Sequence, residues 1–192
     1  MNDDCNVTTR AETSKPHAAI WPKILATLFA SEGIDEQFIT AVHFNAPPQA
    51  VWDEMMFYEE APGTPPLLLR AFMPYPIRTE GAKSHVGAII HCIYQGGDLI
   101  KHVSLLDPPH LICFEVVQQR LGIEGCAVAL TGSYELRDTG DGTDLLLTTN
   151  CRTFLHPRWL FRTLENIITG QLHHHILKGM RAALQQEPAI PV

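Results

Sequence analysis

The sequence lacks most of the motifs that point to a specific chemistry, and these absences exclude several classes of protein. Its five cysteines form no CxxC pair and are odd in number, which argues against both a structural zinc site and a disulfide framework. It contains no glycine-rich phosphate loop, no serine nucleophile elbow and no HExxH motif. No apolar run approaches the ~18 residues that a membrane-spanning helix needs. The sequence therefore predicts no metal ion, no organic cofactor and no transmembrane segment.

Positive charge is also scarce. The chain carries 14 Lys and Arg against 21 Asp and Glu, a formal net charge of -7, and its basic residues are scattered. Nucleic-acid-binding proteins normally cluster these residues on one face, so we expect no nucleic-acid partner. The first residues are acidic and polar, unlike a secretory signal, and we expect a cytoplasmic protein. With 192 residues, one substantial core is expected.

The order of predicted elements indicates an α+β protein. An amphipathic helix over 18–30 precedes a strand at 37–45, and a second helix follows the prolines at 47 and 48 and continues to about 58. Residues 67–73 fit either a short helix or an edge strand. Tight-turn residues then separate predicted strands at 86–94, 99–106, 111–118, 129–137 and 143–154. Short connections make such strands antiparallel, and one long helix over 156–186 ends the pattern.

The long final helix carries a wide apolar stripe. At 100° per residue, Phe161, Leu164, Ile168, Leu172 and Ile176 fall on one face. Such a stripe requires a broad apolar surface, which the preceding strands supply as a sheet. This pairing indicates a container for an apolar guest.

Three local phrases carry a family resemblance: NAPPQAVW at 45–52, LDPPHLICFEV at 106–116 and DGTDL at 141–145. In this order they resemble the START-like superfamily, also called SRPBCC, which includes polyketide cyclases/dehydrases and birch-pollen-allergen-like proteins. The resemblance implies a helix-grip fold, in which a curved antiparallel sheet of about six or seven strands wraps around a long C-terminal helix. We expect a polar tail and short helix over 1–33, a ligand-binding domain over 34–187 and a tail over 188–192.

Two residues are the candidates for acid–base catalysis. Glu165 falls inside the apolar stripe, where an unpaired carboxylate is costly. It would either pair with Arg162 or Arg152, or bind a guest hydroxyl and transfer protons. Tyr134 falls on the apolar side of its strand, so its hydroxyl meets either a protein partner or a guest.

The histidines offer weaker candidates. Residues 173–175 are consecutive histidines, and neighbouring helix positions point ~100° apart, so the three cannot converge on one metal ion. On the wheel His175 faces inward, as a cavity group or a hydrogen-bonded core residue, and His173 lies at the edge of the stripe. His91 lies between Ile90 and Cys92, and the pattern leaves its face open.

The expected ligand-binding set combines these groups with apolar residues that would serve as core, cavity wall or both. It comprises Trp52, His91, Phe114, Tyr134, Phe161, Glu165, Ile168, Leu172 and His175.

The leading hypothesis is a protein that binds or transports a hydrophobic small molecule, such as a lipid, an isoprenoid or a polyketide-like compound. One alternative is a cyclase or dehydratase that uses cavity Glu, Tyr or His side chains for proton transfer. Another is an interaction module whose helix at 18–30 contacts a membrane surface or a second copy of the chain. A third possibility is that this helix has only a structural role and packs against the core as a brace.

Overall fold

A computed structural model describes residues 20–57, 63–81 and 83–186. The expected tails at 1–16 and 188–192 lie outside the described residues. The elements, in chain order, are α1 (Ile20–Phe29), β1 (Ala30–Phe44), α2 (Pro48–Phe57), α3 (Leu67–Phe72), β2 (Pro76–Gly81), β3 (Ile89–Tyr94), β4 (Gly97–Asp107), β5 (Leu111–Arg120), β6 (Ala127–Asp138), β7 (Thr143–Leu155) and α4 (Arg158–Gln186).

The seven strands form one antiparallel sheet in the order β1-β7-β6-β5-β4-β3-β2. Strands β2 to β7 form a meander, because each pairs with the next along the chain, while β1 pairs with β7. The long helix α4 packs against the inner face of this curved sheet, and α2 and α3 contact α4. This is the helix-grip arrangement, and the expectation of an α+β fold with six or seven strands is confirmed.

One expected boundary differs from the structure, and one strand was not predicted. Strand β1 begins at Ala30, seven residues before the predicted start, so the expected domain boundary after residue 33 falls inside a strand. Strand β2 was not predicted, because PIRTEG shows no alternation of apolar and polar residues and has a paired strand on one side only. The ambiguous segment at 67–73 is a helix over Leu67–Phe72.

The main core fills the space between the sheet and the helices. Alternate residues of the strands are buried, and they meet α2 through Val51, Trp52 and Met55 and α4 through Leu177 and Met180. A smaller cluster at the other end of α4 contains Cys126, Leu155 and Phe161, against which Leu25 and Ala26 of α1 pack. The two clusters leave the middle of the sheet free for a cavity.

Helix α1 packs against the body of the protein with one side only. Pro22 is buried, its carbonyl oxygen accepts a hydrogen bond from Sγ of Cys126 at 3.1 Å, and the ring of Phe29 lies 5.2 Å from that of Phe161. The opposite side is apolar and exposed, with Ile20 70% and Leu28 68% accessible. The brace is therefore observed, while a contact with a membrane or a second copy stays a prediction. Among the described residues, no helix is long and apolar enough to cross a membrane.

Candidate functional site

A cavity of about 160 Å³ lies between the inner face of the sheet and α4. Its floor comes from alternate residues of β3 to β7 and from Phe38 of β1, and its roof is the predicted stripe of α4. Pro22 and Leu25 of α1 close one end, and Phe72 and Met73 beside α3 contribute to the rim. The stripe residues that line it are Phe161, Leu164, Ile168, Leu172 and Ile176.

A second cavity of about 80 Å³ adjoins the first. Five residues line both: Tyr94, Lys101, Phe114, Tyr134 and Ile176. These five side chains therefore lie between the two cavities and form a partition.

The sheet opens beside the main cavity. Strands β5 and β6 pair only from Leu111↔Glu135 to Glu115↔Thr131, and beyond Glu115 they separate. The side chain of Gln119 bridges the gap, since its amide nitrogen donates to the carbonyl of Ala127 at 3.0 Å and its oxygen accepts from the amide of Ala129 at 2.8 Å. Gln119 also lines the cavity. One side chain thus takes the place of strand pairing at the wall of the site.

Tyr134 lies in the partition, as the apolar side of its strand predicted. Its ring is 6.0 Å from that of Phe114, and burial raises the pKa of its hydroxyl. Burial likewise raises the pKa of Tyr94. Both phenols are therefore neutral at physiological pH and can donate a hydrogen bond to a guest.

Glu165 lines the cavity but is held by an arginine that the sequence analysis did not consider. Arg158 donates two hydrogen bonds to its carboxylate, at 3.1 and 2.7 Å, and a third to Glu36 at 3.0 Å. The predicted partners were wrong: Arg152 pairs with Asp35, and Arg162 lies 3.5 Å from Glu36. Arg158 was missed because it lies seven residues before Glu165, two helical turns away rather than one.

Both inner histidines are buried, and His173 rather than His175 lies at the cavity wall. His173 is 2% exposed and lines the cavity. Its Nδ1 lies 2.8 Å from Oγ1 of Thr40, and its Nε2 lies 2.9 Å from Oγ1 of Thr149. One ring nitrogen donates and the other accepts, and burial, as the main cause, lowers the pKa of His173 to about 4. A neutral imidazole thus connects α4 to β1 and β7.

Three other expected site residues lie outside both cavity walls. His175 is buried, and burial lowers its pKa, but it does not line either cavity. Trp52 belongs to the core between α2 and the sheet. His91 points away from the buried Ile90 and Cys92, and its Nε2 lies 2.9 Å from Oδ2 of Asp98.

The sequence analysis missed Lys101, which lines both cavities. Its ammonium lies 4.1 Å from the ring centroid of Phe114. Burial acts to lower its pKa, but Cys92, Tyr134 and Tyr94 act in the other direction, and the net effect raises the pKa of Lys101 above its ordinary value. The signal was present, because Lys101 lies between Leu99 and Val103 at the spacing of one strand face.

Comparisons with known proteins identify the fold alone. No family model matches the chain, and no curated protein matches its sequence. Among solved structures, TTHA0849 from Thermus thermophilus is 13% identical, with a TM-score of 0.55 over 80% of this chain and 100% of its own. Zhui aromatase/cyclase from a Streptomyces species is 14% identical, with a TM-score of 0.55 over 80% of this chain and 95% of its own.

A third similar structure is the Aha1 dimer from Colwellia psychrerythraea, 14% identical, with a TM-score of 0.51 over 80% of this chain and 99% of that one. The aromatase/cyclase and the Aha1 dimer thus resemble this chain at the same sequence identity, although their names differ. Because one fold carries unrelated functions, these similarities establish the helix-grip fold of this protein and do not identify its function. The function has to be argued from the cavity.

Proposed function

We propose that the protein binds a hydrophobic small molecule in the cavity between the sheet and α4. The observation that carries this proposal is an apolar cavity of about 160 Å³ inside a packed domain. Protein interiors contain few voids larger than a water molecule, so a space of this size has to be maintained against collapse. An engineered apolar cavity of roughly 150 Å³ stays dry and binds benzene.

The volume also limits the ligand. The main cavity accepts about one aromatic ring or a short branched chain, by the same comparison. A longer lipid, isoprenoid or polyketide-like ligand would extend into the second cavity through the partition at Lys101, Phe114 and Tyr134. The gap between β5 and β6, bridged by Gln119, offers a route of entry.

Binding of toluene to the full chain, measured by ligand-observed NMR, tests the proposal. The variant Ala129→Phe places a ring inside the cavity and should lower toluene affinity at least about tenfold. The matched control Val117→Phe adds the same ring at a position 61% exposed and should bind as the wild type does. If the wild type binds no apolar probe, or if Ala129→Phe binds as tightly as the wild type, the proposal is wrong.

A further inference from the structure

Lys101 enters the cavity from the inner face of β4, beside a local irregularity in the pairing of β4 with β5. Ile100 pairs with Gln118 but Lys101 pairs with Val116, so Val117 is the extra residue of a β-bulge. On β4 itself the alternation continues, and Lys101 shares the inner face with the buried Leu99 and Val103. A strand position that normally holds an apolar side chain therefore holds an amine.

This amine has an incomplete set of partners. Its ammonium contacts the face of Phe114 and hydrogen-bonds the Cys92 thiol, and Tyr94 and Tyr134 are close enough to influence its pKa. In the parts of the chain that the structure describes, no carboxylate pairs with Lys101. Both phenols are neutral at physiological pH, so neither supplies a negative charge. A cation in an apolar wall without a counter-ion is costly, and the cation–π contact offsets only part of that cost.

The geometry points to Lys101 as the anchor of an anionic head group, and to a small apolar carboxylic acid, bound as its carboxylate, as the ligand. This inference rests on the proposed function and specifies its ligand class. The carboxylate would supply the missing counter-charge, with Tyr94 and Tyr134 as hydrogen-bond donors, while the apolar part occupies the main cavity.

The surroundings favour a monoanion over a phosphate. Among the described residues that line the main cavity, Lys101 is the only lysine or arginine. A carboxylate balances its single charge, whereas a phosphate dianion would leave a buried negative charge without a partner. The other charged residue of that wall, Glu165, is already bound by Arg158. Arg78 and Lys83 line the second cavity, where Arg78 pairs with Glu80 and Lys83 donates to the carbonyl of Met55.

A comparison of phenylacetate with phenylacetamide tests this inference, because the two molecules differ in charge and hardly in shape. Isothermal titration calorimetry on the full chain at pH 7 should show that the wild type prefers phenylacetate at least about tenfold. Lys101→Met should abolish the preference and retain toluene binding. Lys178→Met, which removes an exposed lysine of α4, should keep the preference.

A second measurement needs no variant of the cavity. In a carbon-13 spectrum of the wild type, the Lys101 side-chain resonances should shift on saturation with phenylacetate and stay in place with phenylacetamide. Toluene binding without preference for the acid, or a preference that persists in Lys101→Met, would overturn the inference and leave the proposed function intact. If the protein binds neither toluene nor phenylacetate, both the inference and the proposed function are wrong.

Discussion

His173 is buried as a neutral imidazole between two threonine hydroxyls, which makes folding sensitive to acid. Its pKa is about 4 in the folded protein and near 6.5 in an unfolded chain. Between these values the unfolded state binds the proton, so this stabilisation is present above pH 6.5 and is lost as pH falls toward 4. The loss between pH 7 and pH 5 should be about 2 kcal/mol.

Urea denaturation at the two pH values measures this effect, and His173→Gln should flatten the pH dependence by the same amount. Gln retains a donor and an acceptor for Thr40 and Thr149 but does not titrate. An unchanged pH dependence in the variant would contradict the assignment.

Arg158 holds two acidic side chains from different elements. Its side chain is 17% exposed, and those of Glu36 and Glu165 are 15% and 13% exposed. Arg158→Met leaves both carboxylates without this partner, which should lower the free energy of unfolding by about 3 kcal/mol at pH 7.

Arg162→Met is the control, because this side chain is 63% exposed and its removal should cost less than about 1 kcal/mol. Equal losses in the two variants would show that the Arg158 contacts contribute nothing special.

At the scale of elements, Gln119 replaces the missing pairing between β5 and β6. Gln119→Ala leaves the amide of Ala129 and the carbonyl of Ala127 without these partners, and should cost about 1–3 kcal/mol. Hydrogen exchange of the Ala129 amide should accelerate accordingly. Gln118→Ala, which removes a side chain that lies beside Arg120, should leave that amide protected. Equal exchange in both variants would contradict the bridging role.

Helix α1 closes one end of the cavity with Leu25, and its outer side is open to solvent. Leu25→Ala should lower the free energy of unfolding by about 1–2 kcal/mol and accelerate toluene release, measured by NMR line shape. Leu28→Ala, at a position 68% exposed, should change stability by less than about 0.5 kcal/mol and leave release unchanged. If the two variants behave alike, α1 does not close the cavity.

The elements were largely predictable from the sequence, because periodicity and turn chemistry are local properties. The stripe from Phe161 to Ile176 predicted the roof of the cavity for this reason. Contacts that depend on assembly were not predictable. The tie from His173 to Thr40 joins residues 133 positions apart, and no local pattern encodes it. Lys101 is different, since its alternation with Leu99 and Val103 was visible in the sequence and was overlooked.

For the whole molecule, ligand binding should appear as added stability. Toluene at ten times its Kd should add about 1.4 kcal/mol to the free energy of unfolding. For a domain of this size, that corresponds to a rise in Tm of about 3–5 °C. Differential scanning calorimetry measures the shift, and Ala129→Phe under the same conditions should show less than about a third of it. A shift of equal size in that variant would place the toluene elsewhere.

The pairing of β1 with β7 has a consequence for biosynthesis. Strand β1 is synthesised long before its partner β7, since Phe44 pairs with Thr143 and Ala30 with Leu155. A nascent chain that ends before residue 143 has neither the partner of β1 nor the α4 roof. The cavity is therefore complete only after α4 has been synthesised, and a translation product that ends before residue 143 would leave the apolar inner face of the sheet uncovered.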